Sequence, residues 1–101
     1  MKMKQDLALK SQVKKILKLV QEIAPGNSLE LRVPPYAAIQ CGEGPTHTRG
    51  TPPNVIEMNA ETWLALASGE RSWADAMSAG LISASGVRAD LTELLPLEVK
   101  S

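Results

Sequence analysis

Apolar residues recur at helical spacing along the start of the chain. Leu9, Val13, Ile16, Val20 and Ile23 lie three or four apart, with Leu17 and Ala24 widening the stripe. Lys10, Lys14, Lys15 and Lys18 fall on the other side when each residue is advanced by about 100°. The pattern predicts an amphipathic helix over about 4–24, ended by Pro25-Gly26, since proline cannot continue the ladder and glycine tolerates the turn.

The period then changes. Over residues 28–33, Leu29, Leu31 and Val33 alternate with Glu30 and Arg32, the pattern of a half-buried strand. Pro34-Pro35 interrupts it, because proline removes a ladder donor, and residues 36–41 read as a second strand. Residues 42–53 hold three Gly and three Pro in twelve positions and predict an irregular loop of the length that often carries function. Residues 54–58 predict a third strand, and Asn59 is a good N-cap for a helix over 60–68 with Gly69 just past its end. Ser72, with Asp75 three residues on, caps a further helix that stops at Gly80. Residues 81–85 predict a fourth strand and 89–95 a final short helix ended by Pro96.

The resulting order is α, β, β, long loop, β, α, α, β, α. Strands joined by a short connection pair antiparallel, and amphipathic helices must bury their apolar stripe on something. The expected fold is α+β: one domain spanning 1–101, with a single antiparallel-rich sheet of about four to five strands and helices on one face.

At 101 residues the chain allows one small core, and that core lacks Phe; Trp63, Trp73 and Tyr36 are its only aromatics. Formal net charge is zero, which excludes a general nucleic-acid binder, since neutralising phosphates needs a basic surplus. The charge is nevertheless segregated: residues 1–24 carry six Lys against Asp6 and Glu22, and the remainder carries five basic and nine acidic groups. Cys41 stands alone, so no intramolecular disulfide forms and a reducing, cytoplasmic setting is expected. The lysine-rich start is followed by no apolar signal core, and no apolar run is long enough to span a bilayer.

The stretch from Asn59 to Gly69 (Asn-Ala-Glu-Thr-Trp-Leu-Ala-Leu-Ala-Ser-Gly), the helix Ser72–Gly80 with its Ala-Met pair, the strand Leu81–Gly86 and Arg88-Ala-Asp-Leu-Thr-Glu-Leu-Leu come in an order that resembles the sterol-carrier-like family. Leu29–Gly42 and His47-Thr-Arg-Gly-Thr-Pro-Pro-Asn-Val are similar to its short bacterial branch, so the resemblance covers roughly residues 10–97. It implies an antiparallel-rich sheet with helices on one face and, in larger relatives, an apolar tunnel for sterols, acyl chains or acyl-CoA. It also implies peripheral membrane contact through the N-terminal helix, with Lys10, Lys14, Lys15 and Lys18 facing the lipid. The alternative is an ordinary packed helix with a solvated lysine face, since its apolar side has no Trp or Phe to anchor in lipid.

Trp63, Leu66, Trp73, Met77, Ile82, Leu91 and Leu95 are the candidates for an apolar ligand pocket, and equally the residues that a small domain needs to fill its core. His47 and Arg49, among Thr46, Thr48 and Thr51, offer a base and an anion-binding group for a polar headgroup. Nothing nearby completes a nucleophile, base and orienter, and one His with one distant Cys makes no metal site. Gly42-Glu43-Gly44 lacks the spacing of a nucleotide loop, so no cofactor is expected. The leading expectation is a non-catalytic lipid-binding or lipid-transfer protein, and the second an accessory or interaction module with a filled core and no small ligand.

Overall fold

The computed structural model describes residues 2–43, 54–87, 89–95 and 97, with side chains from Leu7 onward. Helix α1 (Lys2–Ile23) leads to strands β1 (Leu29–Val33) and β2 (Ala37–Cys41). Strand β3 (Asn54–Met58), helices α2 (Ala60–Ser68) and α3 (Trp73–Ser78) and strand β4 (Ile82–Ser85) follow. The strands form one sheet in the order β2-β1-β3-β4.

The short Pro34-Pro35 connection, whose peptide bond is cis, reverses the chain, and Tyr36 N donates to Val33 O at 2.9 Å. β1 and β2 therefore pair antiparallel, with Leu31 opposite Ile39. β3 comes back on the other side of β1 and runs parallel to it, with Leu31 opposite Ile56. β4 is antiparallel to β3, setting Ile56 against Ala84 and Met58 against Ile82. The sheet is thus mixed and mostly antiparallel.

This register gathers most apolar positions of the strands on one face, because side chains change face at each residue, and leaves Val55 and Ala38 beside Glu30 and Arg32 on the other. Leu29, Leu31, Val33, Cys41, Ile56, Met58 and Ile82 are buried there, while Glu30, Arg32 and Glu57 share the opposite, open face. On that open face Arg32 bridges Glu30 at 3.5 Å and Glu57 at 3.9 Å. Such exposed pairs contribute at most about 1 kcal/mol. The covered face receives Val13, Leu17 and Val20 of α1 and Trp63, Leu66 and Ala67 of α2, and burying each large aliphatic contributes about 1.5–3 kcal/mol. α1 packs on both β2 and α2, and α3 packs on β4.

Local chemistry explains the boundaries. Asn59 accepts Thr62 N at 2.8 Å, a cap of the kind worth about 1 kcal/mol, and Gly69 closes α2 in the left-handed region at φ 86°. Ser72 accepts Asp75 N at 3.1 Å and starts α3. Residues 89–95, expected as a helix, instead make a single turn in which Leu94 N and Leu95 N both donate to Leu91 O. The short turn has a physical cause. Asp90 accepts the Thr92 N–H at 2.7 Å and the Thr92 hydroxyl, so the turn starts only after it, while Pro96 disfavours helix at Leu95, and too few residues lie between to offset helix nucleation.

Both ends of the 42–53 region meet at Ser28. Its hydroxyl lies 3.0 Å from Gly42 O and 3.3 Å from Glu43 O, and its carbonyl accepts Asn54 Nδ2 at 2.7 Å. The turn after α1 joins the same junction, since Gly42 N donates to Ala24 O at 2.8 Å.

An open groove between the first two helices

The apolar stripe of α1 is wider than the core requires. Val13, Leu17 and Val20 are fully buried against the sheet, but Ile16 and Leu19, on the adjacent arc, are only half-buried. Ile23, one turn beyond Leu19 on that arc, is 52% exposed. α2 has the same property. Trp63 and Leu66 point inward, whereas Leu64 and Ala65 are half-buried on the outer side between Glu61 and Ser68. A helix apolar on both sides has more to cover than one core.

Where these two surplus faces meet, they line a groove of about 900 Å³ open to solvent. Ile16, Leu19, Leu64 and Ala65 supply its apolar floor. Lys15, Lys18 and Glu22 stand along the α1 wall, and Glu61 and Glu70 mark the α2 wall. All five charged side chains are exposed, and none is ion-paired with another described residue.

The residues expected to line a ligand pocket lie elsewhere. Trp63, Leu66, Ile82 and Leu91 are buried in the core, and Trp63 is 0% exposed. Trp73 and Leu95 are half-buried against that core, and Met77 is 42% exposed on α3. None of the seven lines the groove. Lys10, Lys14, Lys15 and Lys18 are all exposed, but only Lys15 and Lys18 border it. His47 and Arg49, with their neighbouring threonines, lie outside the described residues. The floor residues carried a sequence signal in hindsight: Leu64 and Ala65 are apolar at positions that the buried face of α2 does not use.

A second opening of about 640 Å³ lies beside the Ser28 junction, bordered by Cys41, Glu43, Asp90 and Leu91 among others. Its chemistry is quiet. Burial pushes the Cys41 thiol up from its ordinary value, so it stays protonated near neutral pH. The side-chain and then the backbone hydrogen bond from Thr92 hold the Asp90 carboxyl below its ordinary value. Among the described residues no group of His, Cys, Asp and Glu is arranged to hold a metal ion. No described helix is long and apolar enough to cross a membrane.

No curated protein matches the chain. The family described as bacterial SCP ortholog matches residues 5–97, from the first turns of α1 to the buried Leu97 whose N–H donates to Ala67 O at 3.0 Å. A match over nearly the whole chain, on a mixed α+β sheet with helices over one face, places it: the chain belongs to the bacterial SCP ortholog family and is a sterol-carrier-like domain.

Proposed function

We propose that this chain is a non-catalytic carrier that holds a lipid or other apolar ligand in the groove between α1 and α2. The observation that carries this reading is the apolar floor of Ile16, Leu19, Leu64 and Ala65, which two adjacent helices turn away from a core already filled by Trp63, Leu66, Ile82 and Leu91. Sites for small amphiphiles combine an apolar lining with a few polar groups, and here Lys15 and Lys18 stand at the rim for an anionic headgroup. Family membership supports a carrier over an enzyme. The protein works in the cytoplasm on this reading, where the single thiol of Cys41 stays reduced.

The same helix supplies a membrane contact. α1 is about 33 Å long by its residue count, roughly twice the length of a five-residue strand, and the first fully buried of its described side chains is Val13. Leu7, 64% exposed, Lys10 and Lys14 lie on the exposed side of α1, available to an anionic bilayer, where each lysine adds about 1 kcal/mol.

Solvent extraction of the purified protein followed by mass spectrometry is expected to release a lipid, and a dansyl-labelled fatty acid is expected to bind with enhanced fluorescence. Leu64→Asp puts a charge on the groove floor at a half-buried position and leaves every fully buried side chain in place, so binding should weaken at least about tenfold, or 1.4 kcal/mol, with unchanged circular dichroism. No extracted lipid together with no probe binding sinks the proposal. Equal binding by the variant moves the ligand out of the groove.

A further inference from the structure

We propose that a second copy of this chain closes the groove, pairing through a two-fold axis that runs along it. Lys15 and Lys18 on the α1 wall, tempered by Glu22, face Glu61 and Glu70 on the α2 wall across an apolar floor. These charges have no ion-pair partner among the described residues. A groove with cations on one side and anions on the other is complementary to itself in one orientation only. Rotation about an axis along the groove lays α1 of each copy over α2 of the other, so lysines meet glutamates twice. Rotation about an axis across the groove lays α1 over α1 and sets lysine against lysine. An isologous interface, in which residue i meets j and j meets i, needs the first arrangement.

The apolar surfaces agree with the charges. Ile16 and Leu19 of each copy would lie against Leu64 and Ala65 of the other, and Ile23, at the end of the same arc, would be covered. The pairing rests on these walls and floor alone. Its consequence for the ligand rests on the carrier reading: binding sites bury most of their ligand's surface, an open groove leaves one side in water, and two facing grooves enclose a chamber to which each copy contributes half the lining.

Sedimentation velocity and light scattering at high micromolar concentration, on delipidated protein and on protein loaded with the dansyl fatty acid, test the pairing. The unmodified chain is expected to be a dimer in at least the loaded form. Lys15→Glu with Lys18→Glu should weaken it at least about tenfold, as should Glu61→Lys with Glu70→Lys, because each sets like charges opposite one another. Mixing the two variants should restore a heterodimer, since each wall again meets its opposite. All four residues are exposed, so circular dichroism should be unchanged. A monomer in both preparations overturns the pairing, as does a dimer that both variants keep or a mixture that fails to reassociate. Fluorescence of the dansyl fatty acid bound to a monomer would leave the carrier reading standing while the pairing falls.

Discussion

Trp63→Ala is expected to destabilise the protein by about 3–5 kcal/mol, the range for truncating a large buried aromatic. Trp63 heads the fully buried side chains and is 0% exposed on α2, inside the cluster that joins α1, α2 and the sheet. The chain has no Phe, and its two other large aromatics, Trp73 and Tyr36, are only half-buried against the same core, so Trp63 is its one fully buried described ring. A domain of this size is stable by only about 5–15 kcal/mol, so the loss removes a large part of the total. Trp63→Phe should cost far less. It keeps a ring in place and removes an indole N–H that is buried without a hydrogen-bond partner among the described residues, and an unsatisfied buried donor itself costs about 1–3 kcal/mol. Urea denaturation followed by circular dichroism measures both. A loss below about 1 kcal/mol for the alanine variant would show that Trp63 does not hold the core together.

The second large effect belongs to Gly26→Ala. Gly26 has φ 140°, a conformation that side chains rarely adopt, and a Cβ there would lie 1.9 Å from Gly42 O and 2.4 Å from Gly42 C. Backbone cannot rotate aside as a side chain can. The turn after α1 must separate from Gly42, breaking the hydrogen bond from Gly42 N to Ala24 O and loosening the bond from Ser28 N to Gly42 O at 3.2 Å. Strained backbone of this kind costs about 1–3 kcal/mol and a lost hydrogen bond about 0.5–1.5, so a loss of about 2–4 kcal/mol is expected. Gly80→Ala is the control. Gly80 has φ 73° but nothing within 4 Å of its Cβ, so only the left-handed backbone penalty of about 1–2 kcal/mol applies. Equal losses at the two sites, read by urea denaturation, would mean that the Ala24–Ser28–Gly42 junction gives way without cost.

Local features were legible in the residues. The caps at Asn59 and Ser72, the glycine stop at Gly69 and the alternation of Leu29, Leu31 and Val33 each depend on a few adjacent positions, and the structure keeps them all. The resemblance to the sterol-carrier-like family rested on the order of such features, and the family match extends it to residue 5. Long-range geometry was not legible. Nothing in residues 29–33 or 54–58 announces that β1 and β3 run parallel, because that direction depends on how the intervening chain returns. Helical spacing also overstates the last element, since Leu91, Leu94 and Leu95 have it but Asp90 and Pro96 leave room for one turn only.

The groove shows the same limit from the other side. Ile16, Leu19, Leu64 and Ala65 all read as apolar, but apolar spacing does not say which members of a wide stripe the core consumes. The core takes Val13, Leu17 and Val20, which face the narrow covered side of the sheet, and the surplus is left outside. That division, rather than a hollow among Trp63, Leu66 and Ile82, is what directs the ligand reading to the surface between α1 and α2.

Amide NMR of isotope-labelled protein titrated with a fatty acid tests that reading most directly. Ligand-dependent shifts should concentrate at Ile16, Leu19, Leu64 and Ala65, with the Trp63 indole signal nearly unmoved. Shifts centred on Trp63, Leu66 and Ile82 with the groove silent, or no shifts at saturating fatty acid, would contradict it.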